Sequence, residues 1–269
     1  MNIYKFIESF TDDSFINSKG SRRESFSQFG KVGKNIALAS IPFGLAAAST
    51  KGYASDISPT PATAIGALQL ALTLEYLEDE FYQMGLDSGV IPILANGGRD
   101  LKVFQQIAQH ESDHVAFLIQ GLGGSGSANF VAKPTFDFTV GGLFDPFNDY
   151  QQFLALAQAF EDTGVRAYKG QAGNLKSEPA LLTAALQIHS VEARHASEVR
   201  RLRGQKGWII GNDRGGLPSQ AQGTYDGEEN LIQAGYNAGT LFGASAGSAS
   251  FDEPLTTAQT VSIANLFIV

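Results

Sequence analysis

The chain of 269 residues contains no cysteine and only two methionines. The absence of cysteine excludes disulfide bonds, thiolate metal ligands, iron–sulfur clusters and cysteine nucleophiles. The scarcity of methionine argues against a copper site with thioether ligands. Any metal chemistry in this protein must therefore rest on carboxylates and imidazoles.

Positive charge and long apolar runs are also scarce. The net charge is −8, and no basic stripe is present that could replace the counterions of a nucleic acid, so nucleic acid is not an expected partner. No run is long and apolar enough to form a transmembrane helix in the mature protein. The length is sufficient for one large domain with extensions.

Two Glu-x-x-His tetrapeptides stand out in this background, and each lies in an apolar segment with helical spacing. They begin at Glu111 and Glu192 and end at His114 and His195. Residues three apart lie on one face of a helix, so each tetrapeptide presents one carboxylate and one imidazole in the same direction. A single copy would be typical of a solvent-exposed helix face. Two copies at equivalent positions favour a metal site.

A second repeated segment precedes each tetrapeptide. Residues 70–82 resemble residues 156–168, and in both a glutamate is followed seven residues later by a tyrosine. Seven residues are two helical turns, so Glu75 and Tyr82 share a face, as do Glu161 and Tyr168. The order Glu, Glu-x-x-His, Glu, Glu-x-x-His indicates a duplicated helix pair. It also gives the ligand set of a dinuclear carboxylate site in a four-helix bundle.

The predicted fold class is therefore all-α, a ferritin-like four-helix bundle with one long crossover. The four helices are predicted from apolar spacing and from their start and stop signals: Ala62 to Leu86, Asp100 as N-cap to Gln120, Asn148 as N-cap with Gln151 to near Tyr168, and Pro179 to about Arg203. Short connections make the members of each pair antiparallel neighbours. The long segment from Gly121 to Phe147 suits a crossover along the bundle.

Two extensions flank the predicted bundle of residues 56–203. Residues 204–269 are rich in glycine and predict an irregular region that wraps the bundle or forms an interface. Thr256 and Gln259 would cap a short last helix that carries Val261, Ile263, Ala264, Leu266 and Phe267. Residues 1–55 contain Arg22 and Arg23 before a weakly apolar run, which resembles a twin-arginine export signal and predicts a periplasmic or exported protein. The alternative is a basic N-terminal extension of a cytoplasmic protein.

The predicted site holds two iron or manganese ions, because both metals accept mixed carboxylate and imidazole ligands. Glu75 with His114 would serve one ion, Glu161 with His195 the other, and Glu111 with Glu192 would bridge them. Other polar residues are expected to lie elsewhere or in support. Glu78 shares a face with Glu75 and is assigned to a solvated or ion-paired face, with a role as a further ligand or as a support of the ligands as the alternative. Asp79 and Glu80 are expected to face solvent. His110 and His189 are assigned to the surface or to interhelix hydrogen bonds, and Tyr82 and Tyr168 either to hydrogen bonds with the glutamates or to the core.

These residues resemble a known family, the ferritin-like domain proteins related to desiccation-associated proteins. The resemblance covers residues 62–203 and rests on Leu74-Glu75-Tyr76-Leu77-Glu78, on residues 161–165 and on the two Glu-x-x-His pairs, with residues 251–256 as a further match. It implies a four-helix ferritin-like bundle with a di-iron or di-manganese centre. It does not imply a defined reaction.

Two classes of function follow from the sequence. The first is a redox metalloprotein that acts on dioxygen or peroxide, with oxidase, peroxidase or catalase-like chemistry at an open coordination position. The second is a structural, stress-protective or assembly protein in which the bundle is not catalytic and the C-terminal region makes contacts, including contacts with a second copy. We favour the first, because burying four carboxylates is costly and apolar residues would usually stabilise a bundle better.

Overall fold

The structure is a computed structural model that describes residues 56–269. The twin-arginine segment and the rest of residues 1–55 lie outside the described residues. Among the residues that are described, no helix combines the length and hydrophobicity that crossing a membrane requires.

Four long helices form the bundle and confirm the predicted fold class: α1, Ala64–Ser88; α2, Arg99–Gly121; α3, Tyr150–Gln171; α4, Pro179–Leu202. Helix α1 packs mainly against α2, and α3 mainly against α4. Short 3-10 helices at Ala95–Gly98 and Ala172–Leu175 lie in the two short connections. The bundle thus consists of two helical pairs, the α1/α2 pair and the α3/α4 pair.

Three predicted helix starts are wrong by one or two positions. Helix α1 begins at Ala64 rather than at Ala62. Helix α2 begins at Arg99, and Asp100 is a buried residue of its first turn that accepts hydrogen bonds from Asn96 and Tyr150, both at 2.7 Å. Helix α3 is capped by Asp149 rather than by Asn148, because the extended backbone at Asp149 lets its carboxylate accept from the backbone N–H groups of residues 151 and 152.

Aromatic side chains fill the core between the pairs. Phe81 of α1 stacks on Phe153 of α3 with ring centroids 4.8 Å apart, and meets Phe160 edge-on at 5.0 Å. The crossover between α2 and α3 adds Phe138, whose centroid lies 5.3 Å from that of Phe81. Residues of the crossover are therefore part of the core rather than a loop that only connects helices.

The C-terminal region covers the bundle with short elements. A two-stranded antiparallel sheet, β1 at Ile232–Gln233 and β2 at Tyr236–Asn237, is followed by the short helices α5, Gly239–Phe242, and α6, Ala244–Ser248. The last helix, α7 at Thr257–Ala264, follows the predicted capping box of Thr256 and Gln259. Leu266 and Phe267 lie beyond its end, and Phe267 is buried against Phe160.

Two contacts fix the C-terminal region in place. The end of the chain pairs with the crossover through an antiparallel bridge between Phe136 and Ile268. Arg166 of α3 is 1% exposed and binds Glu228 through its Nε at 2.7 Å, while it also donates to backbone carbonyls of residues 224, 226 and 253. The region therefore belongs to the same packed body as the bundle.

Candidate metal centre

The structure brings the six predicted ligand residues together in the middle of the bundle. Each helix contributes from its inward face: α1 gives one glutamate, α2 a glutamate and a histidine, α3 one glutamate, and α4 a glutamate and a histidine. These residues are Glu75, Glu111, His114, Glu161, Glu192 and His195. All four glutamates are 0% exposed. Burial of four carboxylates at one place is costly unless cations or hydrogen bonds compensate it.

The six residues form two overlapping sets of four. Glu75, Glu111, His114 and Glu192 make one set, and Glu111, Glu161, Glu192 and His195 make the other; within each set the ligand atoms lie within 4.8 Å of one another. Two glutamates, Glu111 and Glu192, belong to both sets. The set around His114 therefore consists of three residues of the α1/α2 pair and Glu192 of the α3/α4 pair. The set around His195 consists of three residues of the α3/α4 pair and Glu111 of the α1/α2 pair.

The first set is centred on His114. Its Nδ1 lies 3.1 Å from Glu75 Oε2, 3.0 Å from Glu111 Oε2 and 3.2 Å from Glu192 Oε1. One imidazole nitrogen cannot serve three carboxylates with one proton. The three oxygens and the nitrogen instead converge on one place, as the ligands of a common cation do.

The second set repeats this arrangement around His195. Its Nδ1 lies 2.9 Å from Glu111 Oε1 and 3.4 Å from Glu161 Oε2. Its other nitrogen, Nε2, lies 2.9 Å from Nδ1 of His110, and the two rings are stacked. This second contact fixes the ring so that Nδ1 faces the glutamates.

Unpaired buried atoms test whether metal ions fit this place. Seven buried side-chain atoms in the described part of the chain make no hydrogen bond of acceptable geometry, and five of them belong to the centre: Glu111 Oε1, Glu161 Oε2, both carboxylate oxygens of Glu192, and His195 Nδ1. Three of the oxygens nevertheless lie at ion-pair distance from a histidine nitrogen. Unpaired buried polar atoms are rare in folded proteins. Since all five are metal-donor atoms, the site can hold metal ions, and the chemistry of the donor set suits such ions.

Two tyrosines bind the outer glutamates, Glu75 and Glu161, each of which belongs to only one set. The hydroxyl of Tyr168 donates to Glu75 Oε1, and that of Tyr82 donates to Glu161 Oε1, each at 2.5 Å. Each tyrosine thus reaches the glutamate of the other helical pair. Both are buried, and their hydrogen bonds confirm the first of the two roles considered for them.

The protein shifts the pKa values of these groups strongly. Burial raises the pKa of Glu111 to about 7, although the neighbouring His114 and His195 act in the opposite direction. Burial also raises the pKa of Glu192 well above its usual range, and the charge of Glu111 adds to this effect. Burial alone would lower the pKa of His195, but Glu161, Glu111 and Glu192 outweigh it and raise that pKa to about 11. The centre therefore attracts positive charge.

Not every polar neighbour lies where the sequence predicts. His189 bonds the backbone carbonyl of Val165 at 3.0 Å, as expected for an interhelix contact. The predicted solvated face is wrong for Glu78, which is only 3% exposed. Burial, followed by the charge of Glu192, raises the pKa of Glu78 well above its usual range.

The next two acidic residues of α1, Asp79 and Glu80, are half-buried. Asp79 accepts a hydrogen bond from Ser112, and Glu80 forms an ion pair with Lys133.

Sequence reasoning missed the importance of Gly164, which lies three residues after Glu161 inside α3. A Cβ at this position would lie 3.2 Å from Glu192 Oε2 and 3.3 Å from Glu78 Oε1. A glycine in the interior of a helix lowers stability and often marks a packing or functional requirement. That signal was present in the sequence.

A surface cavity of about 490 Å³ lies beside the centre, on the side of His195. Its walls include His110 and His195 together with three cationic side chains, those of Arg99, Lys102 and Arg194. His195 is therefore the ligand residue that lines this cavity, whereas the side chain of His114 is the more exposed of the two ligand histidines.

Comparison with known proteins agrees with this geometry. A family model described as the ferritin-like domain matches residues 63–205, which is more than half of the chain and spans all four helices. No curated protein matches the sequence significantly. The four-helix bundle and its buried glutamates and histidines fall entirely within the matched residues. The chain belongs to the ferritin-like domain family.

Proposed function

We propose that the protein is a dinuclear iron or manganese protein that is redox active towards dioxygen or peroxide. The observation that carries this proposal is the convergence of buried carboxylate and imidazole donor atoms in two four-residue sets that share Glu111 and Glu192. Two sets with two shared carboxylates suit two ions held close together.

The energetic cost of burying four carboxylates supports a redox role of the metal site over a purely structural one. Replacement of buried ionic groups by packed apolar residues is often neutral or stabilising in proteins. A site that lowers the stability of the apoprotein and yet carries a full ligand set is more typical of function than of structural support. A surface cavity lies against His195, and a small oxidant would have to approach the centre from such a place, which a purely structural ion does not need.

Each residue has a definite task in this proposal. Glu75 and His114 would hold one ion, Glu161 and His195 the other, and Glu111 and Glu192 would contact both. The tyrosine hydroxyls fix the orientation of the two outer glutamates, and His110 fixes the tautomer of His195. Bound iron or manganese would supply reversible one-electron chemistry and an open position for a small oxidant.

Metal content gives the direct test. The wild-type protein from its native host should contain about two iron or manganese ions per chain. Glu111→Ala should lose both, because this residue belongs to both sets, whereas Glu75→Ala should mainly lose one. Glu80→Ala is the matched control, since Glu80 lies on the same helix as Glu75 but pairs with Lys133. Wild-type protein without iron or manganese, and a Glu111→Ala melting temperature equal to that of wild type, would refute the site.

Turnover then separates redox chemistry from a structural metal. The reduced, loaded protein should consume dioxygen or peroxide repeatedly, with an absorption change as the ions are oxidised. His114→Ala and His195→Ala should abolish consumption while the helices stay folded, because the bundle rests on apolar packing. If loaded wild-type protein consumes neither oxidant, the ions are structural and the stress-protective alternative stands.

Export and self-association are part of the same proposal. Arg22 and Arg23 before an apolar run support export, and sequencing of the N-terminus of protein from its native host tests it, since an intact Met1 would exclude cleavage. Exposed apolar side chains in the C-terminal region, Leu241 and Phe242 at 71% and 82%, support contact with a second copy. A monomeric mass in light scattering would exclude that contact.

A further inference from the structure

The surface cavity beside His195 is positively charged although the protein is acidic. The chain has a net charge of −8. Of the described residues that line this cavity of about 490 Å³, however, three carry cationic side chains and only one, Glu198, carries a carboxylate. A volume of this size is typical of sites that bind small molecules. The local charge of such a concave site, rather than the charge of the whole chain, decides which ligands it attracts.

Two of the three cationic side chains have no ionic partner. Arg99 of α2 forms an ion pair with Glu198 of α4. Among residues 56–269, no ion pair involves Lys102 or Arg194, and both residues are exposed. Lys102 belongs to α2 and Arg194 to α4, so the two unpaired charges come from different helical pairs. A ligand that pairs with both must carry negative charge and lie between α2 and α4.

The wall of the cavity also contains apolar side chains. Val103 and Ile107 are four residues apart on α2 and therefore share a face, and Ile107 is 3% exposed. The carbon chain of an organic anion gains free energy by covering such side chains. An inorganic anion has no apolar surface to place against them. The wall thus favours a ligand that combines anionic groups with hydrocarbon.

The histidines of the wall are already engaged within the protein. His110 contacts Gln106 through Nε2 at 2.8 Å and His195 Nε2 through Nδ1 at 2.9 Å. Both ring nitrogens of His110 thus have partners, and Nδ1 of His195 faces the glutamates of the metal centre. The partners left for an anion are the two unpaired cations. A ligand in this cavity would therefore lie next to the metal centre without coordinating its ions.

We propose that the cavity between α2 and α4 binds a small organic dianion of the dicarboxylate class. One carboxylate pairs with Lys102 and the other with Arg194, whose planar guanidinium suits a carboxylate through two parallel hydrogen bonds. The short carbon chain between them covers Val103 and Ile107. The site needs no metal ion, so this inference goes beyond the proposed function.

Isothermal titration calorimetry of the full chain distinguishes the classes of ligand. Of malonate, succinate and glutarate, at least one should bind, and butyrate should bind roughly tenfold more weakly than the best of them, because it lacks one charge-assisted hydrogen bond. Sulfate should also bind more weakly, since it covers no apolar wall, and the cation butylamine should not bind. Sulfate that binds as tightly as the best dicarboxylate, or the absence of heat with all three dicarboxylates, would overturn the proposal.

Substitution of the two cations tests where the ligand lies. Lys102→Met and Arg194→Met should each raise the Kd of the best dicarboxylate roughly tenfold. Lys176→Met is the matched control, because Lys176 is exposed but does not line the cavity. Circular dichroism and the melting temperature show that the variants are folded. A Kd in folded Lys102→Met and Arg194→Met equal to that of Lys176→Met would place the ligand elsewhere.

Glu198→Gln provides a test with the opposite sign. It removes the one carboxylate of the wall and frees Arg99 from its ion pair. The dicarboxylate should then bind several-fold more tightly, and the gain should decrease as salt is added, because these charges are exposed. An unchanged or raised Kd in Glu198→Gln would contradict binding through the charge of this cavity.

The metal-free and metal-loaded forms separate this inference from the proposed function. Dicarboxylate binding should occur in both forms and should depend on Lys102 in both. Binding that requires the metal and is unaffected by Lys102→Met would be direct coordination to the ions, which overturns the inference and leaves the proposed function intact. Wild-type protein without iron or manganese refutes the proposed function, whereas dicarboxylate binding to that protein still supports the anion site.

Discussion

The hydroxyl groups of Tyr82 and Tyr168 cross between the two helical pairs. Tyr168 of α3 donates to Glu75 of α1, and Tyr82 of α1 donates to Glu161 of α3. The sequence repeat places each tyrosine two turns after its own glutamate, but the hydrogen bonds join each tyrosine to the glutamate of the other repeat. Each outer carboxylate thus keeps one oxygen occupied and turns the other towards the histidine of its own set.

We expect Tyr82→Phe and Tyr168→Phe each to weaken metal binding by roughly ten- to a hundredfold, because partners that orient a ligand contribute on this scale. Competition with a chelator, read as metal retained per chain, measures the effect. Tyr76→Phe is the matched control, since Tyr76 lies on the same helix as Tyr82 and its hydroxyl meets only the carbonyl of Val131 at 3.5 Å. Equal metal retention in all three variants would contradict the assigned role.

For individual residues, the sequence was sufficient to predict the ligand set but not the burial of Glu78. Spacing of three residues places Glu111 and His114 on one face whatever the rest of the fold does. The burial of Glu78 depends on Ile263, Ala264 and Phe267, which come from the far end of the chain and close the space beside it. Helical periodicity along α1 alone gives no sign of that cover.

One side chain of the bundle makes several polar contacts with the C-terminal region. Arg166 is buried in α3, and its guanidinium binds Glu228 and three backbone carbonyls of the C-terminal region. Burial raises the pKa of Glu228 to about 7 even though Arg166 acts in the opposite direction. The region is therefore attached through a charged pair that is buried on both sides, as well as through apolar contacts.

Arg166→Met should lower the free energy of unfolding by roughly 3–5 kcal/mol, since it leaves Glu228 buried without its cationic partner. Urea unfolding measures this, and a loss of more than about 1 kcal/mol is not expected for Arg201→Met, an exposed arginine of α4. Adding Glu228→Gln to Arg166→Met should recover part of the loss. A double variant as unstable as the single one would show that the backbone contacts, not the ion pair, dominate.

The elements themselves were largely predictable, and their exact starts were not. Apolar spacing and glycine or proline signals were enough to place all four long helices, and the capping box at Thr256 correctly placed α7. At α3, however, Asn148 and Asp149 are both good caps by residue type. The choice depends on which residue has the extended backbone, and the crossover sets that geometry.

For the whole molecule, the pKa shifts predict opposite pH dependences with and without metal. Glu111 titrates near 4.5 when unfolded and at about 7 when folded, and His195 near 6.5 and at about 11. Both folded values are raised, so both contributions to stability are present at low pH. They are lost as the pH rises through about 7 for Glu111 and about 11 for His195. Metal ions need the deprotonated ligands, so their affinity increases with pH.

The melting temperature of the metal-free protein should therefore fall from about pH 5 to about pH 9, and the increase on metal loading should grow over the same range. Thermal unfolding with chelator or with saturating manganese measures both. Glu111→Gln in the metal-free form is the control and should flatten the lower part of the profile. A metal-free protein that becomes more stable as the pH rises would contradict the assignment.

Glu111 and Glu192 belong to both sets, and this makes the two helical pairs dependent on each other. Neither pair can complete a set by itself, because each requires one carboxylate from across the interface. In a chain without cysteine, ions bound there would cross-link segments as distant in sequence as Glu75 and Glu192. Their removal leaves a seam of facing carboxylates between two intact helical pairs. We expect the metal-free molecule to open first at that seam, rather than at the ends of the helices.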